Sequence, residues 1–383
     1  MRKIGIALRM NTPRNWGYFE GIGRYAEQRG DWRFYMHPQT WFRPVADPAA
    51  FDGAGWLGRE FEPALLSAAA RLGQPVVELG LEPPKPGMHA VCVDHQGLGR
   101  DAADHLLQLG FAHFGFYARP ERGFSRRRFR GLGRRLQERG LNCTQFRARW
   151  DVETEPKWAE NERRLIAWLR AQPKPFAVVA VSDHLAVQVL EACVVGGLRV
   201  PRDVAVLGLD NDETLCSLTQ PKLSSVVTSY EEVGYRAAER LDRLLNGETF
   251  ESRQVHVSSG GAIARGSTDT VASPDPIIAD ALRYIRSRAA ENLTVERVLE
   301  HVGASRRTLE YRFREHLRCS PAEAIRQARL QQLKNLLIGT DLPLQRIVRR
   351  AGFNSQAAMT AFFRRHLDIT PQEYRRIHHP SLG

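Results

Sequence analysis

The sequence predicts an α/β domain built on a parallel, doubly wound sheet, followed by an all-α domain. Up to about residue 257, short β-rich runs alternate with longer helical periods, which is the order expected of βαβ units. Near-continuous apolar runs at 177–181 and 204–209 indicate strands covered on both faces. A chain of 383 residues also exceeds the ~250–300 residues that a single core holds. We therefore expect two or three domains.

The elements of the α/β part follow one another in regular alternation. The predicted strands are Ile4–Leu8, Trp32–Met36, Gly53–Leu57, Pro75–Leu79, His113–Tyr117, Phe176–Val181 and Val204–Leu209. The predicted helices between and after them are Tyr18–Arg29, Glu62–Leu72, Gly97–Leu109, Arg126–Arg139, Lys157–Arg170, His184–Val195 and Glu231–Leu245.

A break in this pattern divides the chain. Residues 258–274 are rich in Gly, Ser and Pro and show no sustained period, which is typical of a linker. The predicted domains are therefore 1–257 and 275–383. Asp275 and Pro276 suit the N-cap and first position of a helix that runs to about Arg288.

An internal repeat at a spacing of about 50 residues organises the all-α part. The apolar positions Leu309, Phe313 and Leu317 correspond to Met359, Phe363 and Leu367. The run Ser320–Glu323 corresponds to Thr370–Glu373, and in each a hydroxyl residue precedes Pro, with Glu three residues after it. That pattern predicts a capping box at the start of two helices.

Each repeat predicts a helix, a glycine turn and a second helix. In the first, an apolar stripe ends at Val302, Gly303 permits the positive φ of a sharp turn, and Ser305 caps the next helix. In the second, the turn falls at Gly352 and the cap at Asn354 or Ser355.

The outward faces of these second helices suit the major groove of DNA, since Arg, Gln and Thr pair with base edges or phosphates. The predicted DNA contacts are Ser305, Arg306, Arg307, Glu310, Tyr311, Arg314, Asn354, Ser355, Gln356, Ala357, Thr360 and Arg364. From Pro274 to Gly383 there are 19 Lys and Arg against 11 Asp and Glu, which accounts for most of the net charge of +12. The alternative is a helical oligomerisation or docking domain with a solvated Arg face.

Residues 275–377 resemble the paired helix-turn-helix units of the AraC/XylS family. The resemblance is carried by HVGASRRTLEYRFREHLRCSPAEAI and RAGFNSQAAMTAFFRRHLDITPQEYRR. It implies that one monomer places both recognition helices in successive major-groove turns. A long helix over Pro321–Ile338 would join them.

Polar residues at strand ends predict a ligand site in the α/β domain, since ligands of such sheets bind beyond the carboxyl ends of the strands. Asp183 follows one strand, Asp210 ends another, and Arg128 offers a donor fork. Arg14 and Trp16 lie in the first loop, where an indole face can hold a sugar ring. The alternatives are helix capping for the two Asp residues, solvation for the Arg and partial burial for the Trp.

Residues 1–257 resemble the LacI-type effector domain, which is akin to two-lobed periplasmic sugar-binding proteins. The matching segments are VCVDHQGLGRDAADHLLQLGFAHFGFY, Arg128–Gly131, AVVAVSDHLAV and VAVLGLDNDE. The resemblance implies a small-molecule effector, a monosaccharide, bound in the cleft between the lobes, where it controls the placement of the DNA-binding units. Together with the AraC-type pair, it implies an activator of a catabolic operon for xylose or a related pentose. Its partners would be a double-stranded operator, a second copy in a homodimer and RNA polymerase.

The remaining signals argue against other classes. The five cysteines show no Cys-x-x-Cys spacing, and neither a signal peptide nor an apolar run of ~18 residues is visible. We therefore expect a cytoplasmic protein with no membrane contact. No metal, nucleotide-binding or catalytic motif fits its required context, so no cofactor, metal or enzymatic activity is predicted. Two alternatives stay open: a non-sugar effector, or a sugar-converting enzyme fused to a DNA-binding domain.

Overall fold

A computed structural model describes residues 1–8, 13–36, 51–80, 88–119, 122–148 and 155–379; for residues 13, 14 and 155–157 it describes the backbone alone. The contacts divide the chain into two compact units. Within the described residues, the N-terminal unit comprises Met1–Asp94 and Ser229–Ser258, and the C-terminal unit comprises His95–Thr228 and Ser259–His379. Each unit is described by itself.

The N-terminal unit holds a parallel sheet of six strands in the order β11-β5-β4-β3-β1-β2. Its strands are β1 (Arg2–Ala7), β2 (Trp32–Tyr35), β3 (Gly55–Gly58), β4 (Val76–Leu79), β5 (His89–Val93) and β11 (Gln254–Val257). Its helices are α1 (Pro13–Arg29), α2 (Pro63–Arg71) and α8 (Tyr230–Leu245). The predicted elements of this unit are all present, and β5 and β11 are additional to them.

The C-terminal unit begins with a second sheet of six strands in the order β12-β10-β9-β8-β6-β7. Its strands are β6 (Phe114–Ala118), β7 (Cys143–Arg147), β8 (Phe176–Ala180), β9 (Val204–Asp210), β10 (Ser224–Val227) and β12 (Ala262–Ile263). Its helices are α3 (His95–Gln108), α4 (Gly123–Gln137), α5 (Glu155–Ala171), α6 (Asp183–Val195) and α7 (Glu213–Leu218). All pairings are parallel except that of β12 with β10. The predicted fold class is confirmed.

The segment predicted as a linker, 258–274, is partly folded onto this second sheet. It supplies β12 and a 3-10 turn at Gly266–Thr268, in which Ser267 and Thr268 are fully buried. The Ser267 hydroxyl donates to the Val206 carbonyl at 2.6 Å and accepts from the Ser224 amide at 2.8 Å. These buried hydrogen bonds hold the segment in place, so composition alone overstated its freedom. The domain boundaries themselves stay a prediction.

The chain from residue 275 is helical, as predicted. Its helices are α9 (Pro276–Ser287), α10 (Val295–Val302), α11 (Arg306–Leu317), α12 (Pro321–Ile338), α13 (Leu344–Arg350), α14 (Gln356–Leu367) and α15 (Pro371–His378). The helix predicted between the two repeats coincides with α12. Asp275 caps α9 by accepting from the amides of Ile277 and Ile278. No helix in the described ranges is long and apolar enough to cross a membrane.

Two hydrophobic clusters, one for each repeat, support these helices. In the first cluster, Leu309 and Phe313 of α11 are fully buried against α9, α10 and α12. In the second, Met359 and Phe363 of α14 are fully buried against α12, α13 and α15. The repeated apolar positions of the sequence therefore form the inner faces of α11 and α14 and orient their outer faces.

Candidate DNA-binding helices and effector site

The first helix-turn-helix consists of α10 and α11. Gly303 ends α10 in the left-handed conformation with φ of 64°, which a glycine adopts without steric cost. Ser305 then caps α11 by accepting from the Thr308 amide. Burial of Leu309 and Phe313 on the inner face leaves the opposite face of α11 in solvent.

The predicted contact residues of α11 lie on this outer face. All six are exposed, and Tyr311 has an exposed fraction of 65%. Arg306 is held by two carboxylates, in a short contact with Glu296 and at 3.5 Å from Glu310. Arg307 makes no ion pair among the described residues. Among the same residues Arg314 makes none either. Neither of these two guanidinium groups would have to leave a carboxylate before meeting a base edge or phosphate.

The second helix-turn-helix consists of α13 and α14 and uses the same local devices. Gly352 takes a positive φ of 67° at the turn. Of the two caps that the sequence left open, Ser355 is the one that forms, by accepting from the Ala358 amide. The predicted contact residues are exposed except Thr360, which is half-buried. They are Asn354, Ser355, Gln356, Ala357, Thr360 and Arg364.

The excess positive charge is concentrated in the second repeat. Residues 274–323 contain nine Lys and Arg against eight Asp and Glu. Residues 324–383 contain ten against three. The second half of the helical region is therefore the stronger attractor for a polyanion.

A buried guanidinium lies at the carboxyl edge of the second sheet. The Arg128 side chain, on α4, is 2% exposed and is 3.0 Å from the Asp210 carboxylate in an ion pair. Its Nη1 donates to the Val181 carbonyl at 2.5 Å, and its Nε lies 3.4 Å from His95 Nδ1. The ring of Phe124, one helical turn earlier, stacks below it at 5.4 Å. The structure thus brings Arg128 and Asp210 together at the carboxyl edge of the sheet, where proteins with parallel α/β sheets bind their ligands.

Asp183 lies beside this pair, but its contacts give it a supporting role. The residue is 1% exposed. One oxygen accepts from the Ser225 hydroxyl at 2.6 Å and the other from the Asp212 amide at 2.7 Å. Burial, and then the nearby Asp210 carboxylate, raise the pKa of Asp183. These contacts indicate that Asp183 orients the 210–212 turn. Its predicted contact with the effector stays a prediction.

The turn that Asp183 supports is conformationally strained. Asp210 and Asn211 both have positive φ, at 141° and 57°, and non-glycine residues seldom hold such values unless their surroundings fix them. Two hydrogen bonds hold Asn211 in this conformation. Its backbone amide donates to the Ser225 hydroxyl, and its side-chain oxygen accepts from Arg265 at 2.9 Å. A Cβ on Gly208 would come within 2.0 Å of an Asp183 oxygen, so only glycine fits there.

The two halves of the chain match known domain families in the expected order. Residues 103–268 match the periplasmic binding protein-like domain, and residues 298–377 match the helix-turn-helix domain. The xylose operon regulatory protein of Escherichia coli (strain K12) is 31% identical over 98% of this chain and 97% of its own length. The chain belongs to the xylose operon regulatory protein family.

Other members show the same relationship. The xylose operon regulatory protein of Haemophilus influenzae is 30% identical over 76% of this chain and 75% of its own. The solved structure of the xylose-binding transcription activator xylR matches with a TM-score of 0.62 and 28% identity, covering 99% of this chain and 98% of that one. As a member of this family, the chain is a DNA-binding transcription regulator with a periplasmic-binding-protein-like sensor domain. It is not an enzyme.

Two predicted effector contacts belong to the N-terminal unit. Arg14 and Trp16 lie on α1, so the loop from which they were expected to project is in part helical. Trp16 is 45% exposed, with its ring 6.4 Å from that of Phe19. The Arg14 side chain lies outside the described residues. Both remain predictions.

The residues that support the Arg128–Asp210 pair were missed in the sequence. Ser225 and Arg265 come from β10 and the predicted linker, far along the chain from Asp183 and Asn211. No local pattern connects them, because a single Ser or Arg has no periodicity. Phe124 had a signal, since it precedes Arg128 by four residues and therefore shares its helical face.

Proposed function

We propose that this chain activates a sugar catabolic operon in response to xylose or a closely related pentose. The observation that carries the effector part is the ion pair of Arg128 with Asp210 at the carboxyl edge of β9. The similarity of nearly the whole chain to a xylose operon regulatory protein supports the choice of sugar. Effector binding would occur in the cytoplasm.

The chemistry of the pair suits a polyol. A carboxylate has about four acceptor positions, so an Asp210 that bonds one guanidinium keeps capacity for sugar hydroxyls. Its side chain is 21% exposed, which is enough for a ligand to reach it. Arg128 fixes the orientation of that carboxylate, and Asp183 fixes the turn that carries it. Arg14 and Trp16 remain proposed effector contacts.

The output of the regulator is proposed to be operator binding by both recognition helices. Arg307 and Tyr311 of α11, and Gln356, Ala357 and Arg364 of α14, are the exposed groups that suit base edges and phosphates. We propose a homodimer on a double-stranded operator, where it recruits RNA polymerase.

The effector assignment is tested by calorimetry on Asp210→Asn, with Asp203→Asn as its matched control. Asp203 precedes the amino end of β9, is 20% exposed and is also paired with an arginine, Arg199. Loss of a hydrogen bond to a charged group costs about 1.5–3 kcal/mol, so Asp210→Asn should weaken D-xylose binding roughly 10- to 150-fold. Asp203→Asn should leave it unchanged. Equal affinity in both variants would refute the site.

The choice of sugar is tested with the unmodified chain. D-xylose, L-arabinose, D-ribose, D-glucose and hypoxanthine are compared by thermal shift and calorimetry. The proposal requires that a pentose, with D-xylose first, stabilises the protein. Stabilisation by hypoxanthine and by none of the sugars would replace it with the non-sugar effector.

The DNA assignment is tested by Arg307→Ala against Arg283→Ala. Arg283 lies on α9, is 61% exposed and has only a loose ion pair with Asp280 at 3.7 Å. A duplex selected by the full chain from a random library is the probe. Arg307→Ala should cost about 1–3 kcal/mol and relax one base preference, whereas Arg283→Ala should behave as wild type. Wild-type affinity in Arg307→Ala at every salt concentration contradicts the assignment.

A further inference from the structure

A second group of cations lies beside the second recognition helix, outside the predicted contacts. Arg326 of α12 and four residues of α14 line one pocket. The four are Ala361, Phe362, Arg365 and His366. Three of the five lining side chains are basic or can become so, and none is acidic.

The two arginines of this pocket are available to a ligand. Both are exposed, and within the described ranges neither forms an ion pair or a side-chain hydrogen bond. The Nε2 atom of His366 is buried, and the described residues offer it no hydrogen-bond partner. An unsatisfied buried nitrogen costs free energy unless a ligand or water bonds it. The pocket therefore offers an acceptor two guanidinium groups and one imidazole nitrogen.

The floor of the pocket is held rigidly. The Arg329 guanidinium lies 3.9 Å from the ring centre of Phe353 and 5.6 Å from that of Phe362. It also donates to the Gly352 carbonyl at 2.7 Å, which ties α12 to the turn before α14. Arg329 is thus engaged in packing, and Arg326, one turn earlier on α12, is left for another partner.

The pocket lies on the flank of the proposed base-facing side of α14. At 100° per residue, Ala361 and Arg365 lie beside Ala357 and Arg364, whereas Met359 and Phe363 lie on the buried side. When a helix enters the major groove, its outer face meets base edges and its flanks meet the phosphate walls. A cationic flank is therefore placed against the backbone.

We propose that Arg326 and Arg365 together bind one backbone phosphate of the operator, with His366 as a third donor. This inference rests on the proposed DNA binding by α14 and adds a site to it. Guanidinium forks match the geometry of a phosphate. The charge of the second repeat, ten cations against three anions, favours a polyanion over a carboxylate-bearing small molecule.

The test uses the full chain and a mixed-sequence duplex of about 30 base pairs, because phosphate contacts do not depend on base sequence. Binding is measured by fluorescence anisotropy between roughly 50 and 200 mM KCl. The variants are Arg326→Ala, Arg365→Ala and their combination, with Arg283→Ala as the control for loss of one charge. All three positions are exposed, so the core packing stays intact.

The double variant should lower the slope of log K against log salt by about 0.9, the value for one phosphate contact. Each single variant should lower the slope by less than this, because the remaining arginine still holds the same phosphate. Arg283→Ala should keep the wild-type slope. Base preference, measured on the selected duplex, should not change in any of them.

Wild-type slopes in all three pocket variants would overturn the inference. So would wild-type DNA binding combined with lost transcription in a reconstituted assay, because the pocket would then serve a protein partner. Neither result would contradict the proposed function if the Arg307→Ala variant still bound DNA more weakly than the wild type. If the Arg307→Ala variant also bound DNA with wild-type affinity, DNA binding by these helices would be refuted.

Discussion

The two helix-turn-helix units share one backbone design and differ in their surface chemistry. Each has a glycine in the left-handed region, a serine cap and two fully buried side chains on the second helix. In the first, Arg306 is paired with Glu296 and Glu310, and the surrounding residues are nearly neutral. In the second, the described residues leave Arg364 and Arg365 without ion pairs, and cations outnumber anions by seven.

From this difference we expect the two helix-turn-helix units to contribute differently to the affinity for DNA and to the base preference. Surface ion pairs contribute little to stability, but they must be broken before a phosphate can take the arginine. The second unit has few such pairs to break, so it should supply more of the salt-dependent, sequence-independent affinity. The first unit, with Arg307 and Tyr311 exposed beside the paired Arg306, should supply relatively more of the base preference. The fold determines where α11 and α14 face, and the charges determine what each contributes.

The largest expected effect tests whether the hydrophobic clusters of the two helix-turn-helix units contribute equally to stability. Phe313→Ala and Phe363→Ala each remove a fully buried ring from a different cluster. Each should cost about 3–5 kcal/mol in the free energy of unfolding. Urea unfolding of the full chain measures the loss, and limited proteolysis locates it. If one substitution destabilised both units equally, the two clusters would form a single core and the comparison would fail.

A smaller effect should separate the two units by pH. Burial, with a further contribution from Lys334, lowers the pKa of His378 on α15 to about 3. The unfolded histidine titrates near 6.5, so the second unit is fully stabilised above that pH. As the pH falls below 6.5, His378 becomes protonated in the unfolded chain but stays neutral in the folded one, so the free energy of unfolding decreases. The loss should reach about 2 kcal/mol at pH 5.

The first unit should not respond over that range. Burial raises the pKa of Asp275, but hydrogen bonds from the Ile278 amide and from Arg312 lower it more, so the net shift is downward. Its stabilisation is present above about pH 4 and is lost only below that. Urea unfolding at pH 7 and pH 5 should therefore show an acid loss that His378→Gln reduces by about 2 kcal/mol. An unchanged loss in that variant would exclude His378 as the cause; other buried histidines, such as His105, are the same in both proteins.

The smallest effect compares the two capping sequences. Thr370 and Glu373 of α15 form a complete capping box, in which each side chain bonds the other residue's amide. At α12, Ser320 accepts from the Glu323 amide, and the described contacts give no return bond. Loss of a cap costs about 0.5–2 kcal/mol.

Thr370→Ala should lie near the upper end of this range and Ser320→Ala near the lower end. The midpoints of thermal unfolding provide the measure, with Thr370→Ser as the variant that keeps the hydroxyl. Equal losses from the two alanine variants would show that the return bond adds nothing.

Much of the helical region could be predicted from the sequence because its signals are short. The cap at Asp275, the turn at Gly303 and the helix Pro321–Ile338 each depend on residues within one or two helical turns. The α/β part was predicted less completely. The strand β10, Ser224–Val227, was missed because its first two residues are serines, and both are fully buried. They are tolerated there because Ser267, Arg265 and Asp183 bond them.

By itself, the sequence determined the alternation of strands and helices, the duplicated helix pair and its outward residues, because periodicity and caps act over short distances. Tertiary structure alone decided the order of the strands and the folding of the predicted linker onto the second sheet. It also decided that Arg128 pairs with Asp210 across 82 residues and that Asp183 bonds Ser225 and the Asp212 amide. Such contacts depend on which strand ends adjoin one another, and a pattern read along the chain carries no information about that.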